Sequence, residues 1–255
     1  TNTNLKPNHV CLLRHGVEVD PERSFIACIA DLYADRTSDG RIPSITDMRR
    51  RLHDAVDLDT FVRLQNGNLI TEFAPSFPIE TVEVDKYSES NLYRSTNFDL
   101  ASNLDALKRA VTSYEAFRLF LLDPITAPSY THLWDLCSSP NPKLFTNGVN
   151  LVILIVPEDD LTSNVEVVCP TNHYSSQLFD SAKKCFILVK KGDFIEPVYA
   201  VEDVKSNYTL SKLFSLRNKN LLPQMKRILE VIRDAQNDLC RPLPSMPNVY
   251  EFVQN

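Results

Sequence analysis

The run Asn150–Val156 constrains this chain most. It is almost wholly apolar and β-branched, with no alternation of polar and apolar positions. A strand of that kind is buried on both faces, so other elements must cover it on each side. The run is also far short of the ~18 apolar residues that a membrane-crossing helix requires. Around it the sequence places three further strands, at Val165–Cys169, Cys185–Lys190 and Pro197–Val201, with Lys191-Gly192-Asp193 turning the last two into a hairpin. The short apolar stretch Val10–Leu13 adds a strand at the start.

Helices are expected mainly before this sheet. Asp20-Pro21-Glu22-Arg23 reads as a helix start, with Asp20 as N-cap and Pro21 in the first turn. The helix that follows, Glu22–Ala34, spaces Phe25, Cys28, Ile29 and Leu32 along one face. Ser44-Ile45-Thr46-Asp47 opens a second helix, which carries Arg49-Arg50-Arg51 as a solvated basic face. Leu58–Leu64 is a short helix, and Asn66-Gly67-Asn68 turns the chain into a strand at Leu69–Phe73. Asn103–Leu122 is a long helix and Pro128–Cys137 a short buried one. Asn220–Cys240 is a closing amphipathic helix, and the proline-bearing tail Arg241–Pro247 is extended. The stretch Ala74–Phe98 lacks periodicity and reads as an irregular insertion. The whole is an α+β fold: one domain over residues 1–255, with helices packed on a small, mostly antiparallel central sheet.

Composition narrows the function. The chain has 255 residues, 27 Lys+Arg against 33 Asp+Glu, and a net charge of −6. That balance argues against a general binder of phosphate backbones, although a local basic patch stays open. With 5 glycines against 16 prolines, glycine-rich phosphate loops are a poor reading. Six cysteines lie scattered without a CxxC pair, which argues against zinc ribbons and dithiol redox motifs. Most of them read as buried, reduced thiols in a cytoplasm-like compartment, and a start at Thr1 reads as a piece of something longer. His9, His15, His53 and His132 show no metal-ligand spacing, so neither metal nor cofactor is expected. Glu158-Asp159-Asp160 reads as a solvated turn. His173, in Cys169-Pro170-Thr171-Asn172-His173-Tyr174, stands in a polar loop; its plain reading is a turn or cap, and its sharper reading a general base.

Two segments together resemble the ovarian-tumour (OTU) class of papain-like cysteine proteases. Asp20-Pro21-Glu22-Arg23-Ser24-Phe25-Ile26-Ala27-Cys28-Ile29-Ala30-Asp31 is similar to the family's opening motif, in which a turn delivers the nucleophilic cysteine onto a helix. The hairpin around Gly192-Asp193-Phe194-Ile195-Glu196 is similar to the terminal hairpin that carries its general-base histidine. Tyr130–Leu136 followed by Val149–Leu154 resembles the family's Trp-containing helix and central strand, so the likeness extends over roughly Val10–Val201.

The resemblance implies an OTU/papain-like arrangement with Ser24 and Phe194 at the cysteine and histidine positions. A phenyl ring neither takes nor gives a proton, and a serine hydroxyl without a base is a poor nucleophile. The implied protein is therefore a pseudoenzyme, with Asp20, Asp193, Glu196 and Trp134 as the residues left to a binding surface. Its implied partner is ubiquitin, a related modifier, or a viral protein. The wording of Asn147–Val152, Cys169–Ser175 and Phe194–Tyr199 also resembles segments of large proteins of nucleocytoplasmic large DNA viruses. Two other functions compete. One is an active hydrolase in which Cys28 or Ser24 is served by His173; the other is a component of a viral transcription or packaging protein.

Overall fold

A computed structural model describes residues 11–75, 82–157, 165–170, 178–204 and 207–240. These residues cluster into two compact units. The first holds residues 11–48, 127–157, 165–170, 178–204 and 207–240; the second holds 49–75 and 82–126.

The first unit is built on a mixed sheet. Its strands are β1 (Cys11–Arg14), β2 (Val149–Ile155), β3 (Glu166–Val167), β4 (Lys184–Lys191), β5 (Phe194–Val204), β6 (Asn207–Ser211) and β7 (Leu213–Phe214). They run in the order β1-β5-β4-β2-β3, with β6 beside β5 and β7 beside β4. Only β2 and β4 pair in parallel, from Val149 opposite Lys184 to Ile155 opposite Lys190; every other pairing is antiparallel. The strand expected to be central, β2, lies one place from the edge, and the middle position belongs to its neighbour β4, which is buried on both faces. Cys185, Ile187 and Val189 point into one core with Met225, Leu229 and Ile232 of the closing helix α8 (Pro223–Leu239). Phe186 and Leu188 alternate with them and are equally buried on the other face. Gly148 delivers the chain into β2 at φ +64°, where a Cβ would lie 2.3 Å from the Ser138 carbonyl oxygen. Only glycine fits there.

Helix α1 (Pro21–Ala34) lies against β5, and α7 (Tyr130–Ser138) lies against β2. One core-facing stripe was expected on α1. In the structure Ser24 through Leu32 are buried without interruption, so the helix is enclosed on every side. Helix α2 (Ile45–Ala55) begins at the Ser44–Asp47 capping pair, where Ser44 Oγ accepts from the Asp47 N–H at 3.1 Å.

The second unit is helical, with α3 (Leu58–Phe61), α4 (Asn68–Glu72) and α5 (Asn91–Ser95) around the long α6 (Ala101–Leu122). Its core is aromatic: Phe117 packs on Phe61 at 5.3 Å and on Phe73 at 5.1 Å between ring centroids. Three expectations fail here. The strand expected at Leu69–Phe73 is helix α4; Gln65, Asn66 and Gly67 all take positive φ, and Ile70 O then accepts from Ser113 Oγ of α6 at 2.8 Å. The irregular stretch after Ala74 includes a 3₁₀ turn at Val84–Tyr87 and α5, the latter anchored where Asp59 accepts the N–H groups of Asn91 and Leu92.

The third concerns Arg49, which is not part of a solvated face. It is 6% exposed and its guanidinium donates to the carbonyls of Phe120, Leu121, Asp123 and Thr126. Those carbonyls lie at and just beyond the end of α6, where a helix leaves acceptors without partners and its dipole favours a cation.

The cysteines also depart from expectation. Cys169 and Cys240 form a disulfide with a Cα–Cα distance of 5.2 Å, joining the chain after β3 to the end of α8. Cys11, Cys28, Cys137 and Cys185 remain free thiols, the last three buried, so the reading as reduced thiols fails for Cys169 and Cys240 alone. Among the described residues no helix is long and apolar enough to cross a membrane.

Candidate functional site

Asp20 caps α1 from an extended backbone (φ −97°, ψ 116°), accepting the Glu22 N–H at 3.0 Å, and it pairs with Arg23 at 3.1 Å. Pro21 occupies the first turn, where its missing N–H costs nothing. This start sets Ser24 and Cys28 one turn apart on the same side of the helix.

Both face a single residue of β5. The Ile195 N–H donates to Ser24 Oγ at 3.1 Å, and the Cys28 thiol donates to the Ile195 carbonyl at 3.3 Å. The Ser24 hydroxyl in turn donates to the Pro21 carbonyl at 2.7 Å. Sheet geometry explains the arrangement. The edge of β5 is covered by β1 from Val201 to Val198, and the His15 N–H then takes the Pro197 carbonyl at 3.0 Å. Two residues further along, Ile195 presents its N–H and C=O to the same edge, and β1 has ended. Ser24 and Cys28 stand where the next strand residue would be.

The chemistry follows from burial. Ser24 is 1% exposed and Cys28 is fully enclosed. The Cys28 thiol is held well above its ordinary pKa, first by burial and then by the negative charges of Asp31 and Glu196. That is the reverse of a nucleophilic cysteine, whose thiolate needs a positive and accessible setting.

The remaining predicted residues are dispersed around this joint. Phe194 opens β5 opposite Lys191 and is 38% exposed; Asp193 is exposed in the turn before it. Glu196 pairs with Arg14 at 3.3 Å. Trp134 on α7 is 4% exposed, so its ring serves the core and not a contact surface. His173, the alternative base, lies outside the described residues, as do Glu158-Asp159-Asp160 and the tail from Arg241. No group of three or more His, Cys, Asp or Glu among the described residues could hold a metal ion.

Sequence reading missed a buried polar cluster one turn beyond Cys28. Asp31 is 2% exposed, and Tyr199 OH donates to both of its carboxylate oxygens at 2.9 Å. Lys212 reaches Asp31 at 3.1 Å and Asp35 at 3.0 Å. Burial and the neighbouring Asp31 carboxylate push the Tyr199 phenol far up. The signal was present, since Asp31 is the one acidic residue in an otherwise apolar and small stretch of α1, but its partners are 168 and 181 residues away.

Comparison with protein-family models, with curated proteins and with solved structures returned no match.

Proposed function

We propose that the chain is a non-catalytic OTU-like module that works through protein interaction, as a scaffold within a larger viral protein. One observation carries this reading. The two side chains at and beside the expected nucleophile position, Ser24 and Cys28, are enclosed and spent on the N–H and C=O of Ile195. Hydrogen bonds of that kind hold α1 against β5; a nucleophile used in this way would leave a buried peptide unsatisfied each time it reacted. Phe194 adds no proton-transferring group to the hairpin.

An active hydrolase built on Cys28 asks for a thiolate where burial and two nearby carboxylates favour the thiol. The net charge of −6 also argues against a nucleic-acid role.

The test is incubation of the intact chain with ubiquitin bearing a thiol-reactive electrophile at its C-terminus, followed by mass measurement. The reading predicts no covalent adduct on Cys28 and no cleavage of isopeptide-linked ubiquitin. An adduct on Cys28, or turnover lost in a His173→Ala variant that melts normally, overturns it.

A further inference from the structure

We propose that the Cys169–Cys240 disulfide is a redox latch. A dithiol reductant opens it at Cys169, and the last turn of α8 and strand β3 then loosen while the rest of the unit stays folded. The bridge is not needed as a staple. The chain buries an extensive core, and Cys11, Cys28, Cys137 and Cys185 are free thiols, so this is no disulfide-dense scaffold.

Both elements that the bond joins are weakly held by their own residues. The buried stripe of α8 runs through Met225, Leu229 and Ile232 and then reaches Gln236, which is 1% exposed. The Gln236 Nε2 has no hydrogen-bond partner among the described residues. A buried donor left unpaired favours the open turn, in which water accepts from it. The same turn carries Asn237 and Asp238, both poor helix formers, and no basic side chain to complement the helix dipole. Cys240, one turn after Gln236, is tied to Cys169. At the other end, β3 is two residues at the sheet edge, with Val167 opposite Leu154 and Glu166 opposite Ile155. The Val168 N–H adds one bond, to the Ile153 carbonyl at 2.9 Å.

The two sulfurs differ in access. Cys169 is an exposed residue, whereas Cys240 is 8% exposed. A thiolate of the reductant therefore attacks the Cys169 sulfur, and the S–S electron pair leaves on Cys240, which takes up a proton. The second thiol of the reductant then attacks the reductant's own sulfur in the mixed disulfide and releases Cys169, which is protonated in turn. The bridge has gained two electrons and two protons, and the dithiol has become a disulfide. With the tie gone, the turn around Gln236 opens locally and its amide is hydrated.

The experiment is residue-resolved hydrogen exchange of the full chain, well below its melting temperature, before and after treatment with dithiothreitol. The Cys240 N–H, which donates to the Gln236 carbonyl, and the Val168 N–H report the two ends of the latch. Reduction is expected to speed exchange of both by roughly ten-fold or more and to leave the β4 amides unchanged, and reoxidation to restore the slow rates. Gln236→Met removes the unpaired donor at similar volume and should cut the acceleration at Cys240 several-fold in the reduced chain. Glutathione, a monothiol, should be trapped by acid quenching as a mixed disulfide on Cys169. Unchanged exchange at Cys240 and Val168, acceleration shared equally by β4, a Gln236→Met variant that opens as far as the parent, or glutathione on Cys240 each overturns the proposal.

Discussion

Cys28, Cys137 and Cys185 show how one residue type acquires different chemistry from its surroundings. Burial pushes the Cys137 thiol up to about 12 and the Cys185 thiol up to about 11, the latter despite a hydrogen bond from Asn150, while Cys11 is only partly covered. Native alkylation at neutral pH should therefore modify Cys11 first. Cys28, Cys137 and Cys185 should react only once the chain unfolds, as peptide mass mapping would show. The same shifts fix a pH dependence. These thiols have folded pKa values above their unfolded value near 9, so the native state binds more protons in that window. Stability is complete below about pH 9 and falls as pH rises towards 11–12. A melting temperature that stays level from pH 8 to 11 would contradict this. That these cysteines are buried was legible from their apolar neighbours; the Cys169–Cys240 bond was not, because pairing depends on where β3 and α8 end in space.

Elements with a strong local code were the ones the sequence located. The apolar run that became β2, the hairpin across Gly192 and the capped start of α1 each rest on residues adjacent in sequence. Helix α4 was misread because Leu69-Ile70-Thr71 has strand-like composition, and its helical state is decided by packing on α6. Arg49 was misread for the same reason: a run of three arginines does not reveal that one of them points at the end of a helix about 70 residues away. Arg49→Ala should cost about 2–4 kcal/mol, because it strips the end carbonyls of α6 of their shared donor. Arg49→Lys should recover only part of that, since one ammonium replaces a five-donor fork. Denaturant unfolding of both variants checks the order; equal stability of wild type and Arg49→Lys would contradict it.

At the scale of the molecule, two long-range ties dominate the first unit. The disulfide closes a separation of 71 residues, and a loop of that length corresponds to about 4 kcal/mol of stabilisation in the chain-entropy account. Added reductant should lower the melting temperature, and a Cys169→Ser, Cys240→Ser variant should match the reduced protein and lose its response to reductant. The other tie is the joint in which Ser24 and Cys28 hold the N–H and C=O of Ile195 where β1 has ended. The sequence drew attention to the helix start and to the hairpin through their likeness to a protease centre, but the bonds that join them connect residues 167 and 171 apart. The most direct measurement is the unfolding free energy of Ser24→Ala. A hydroxyl spent on a buried N–H predicts a loss of about 1–3 kcal/mol. A variant as stable as the parent would contradict that account.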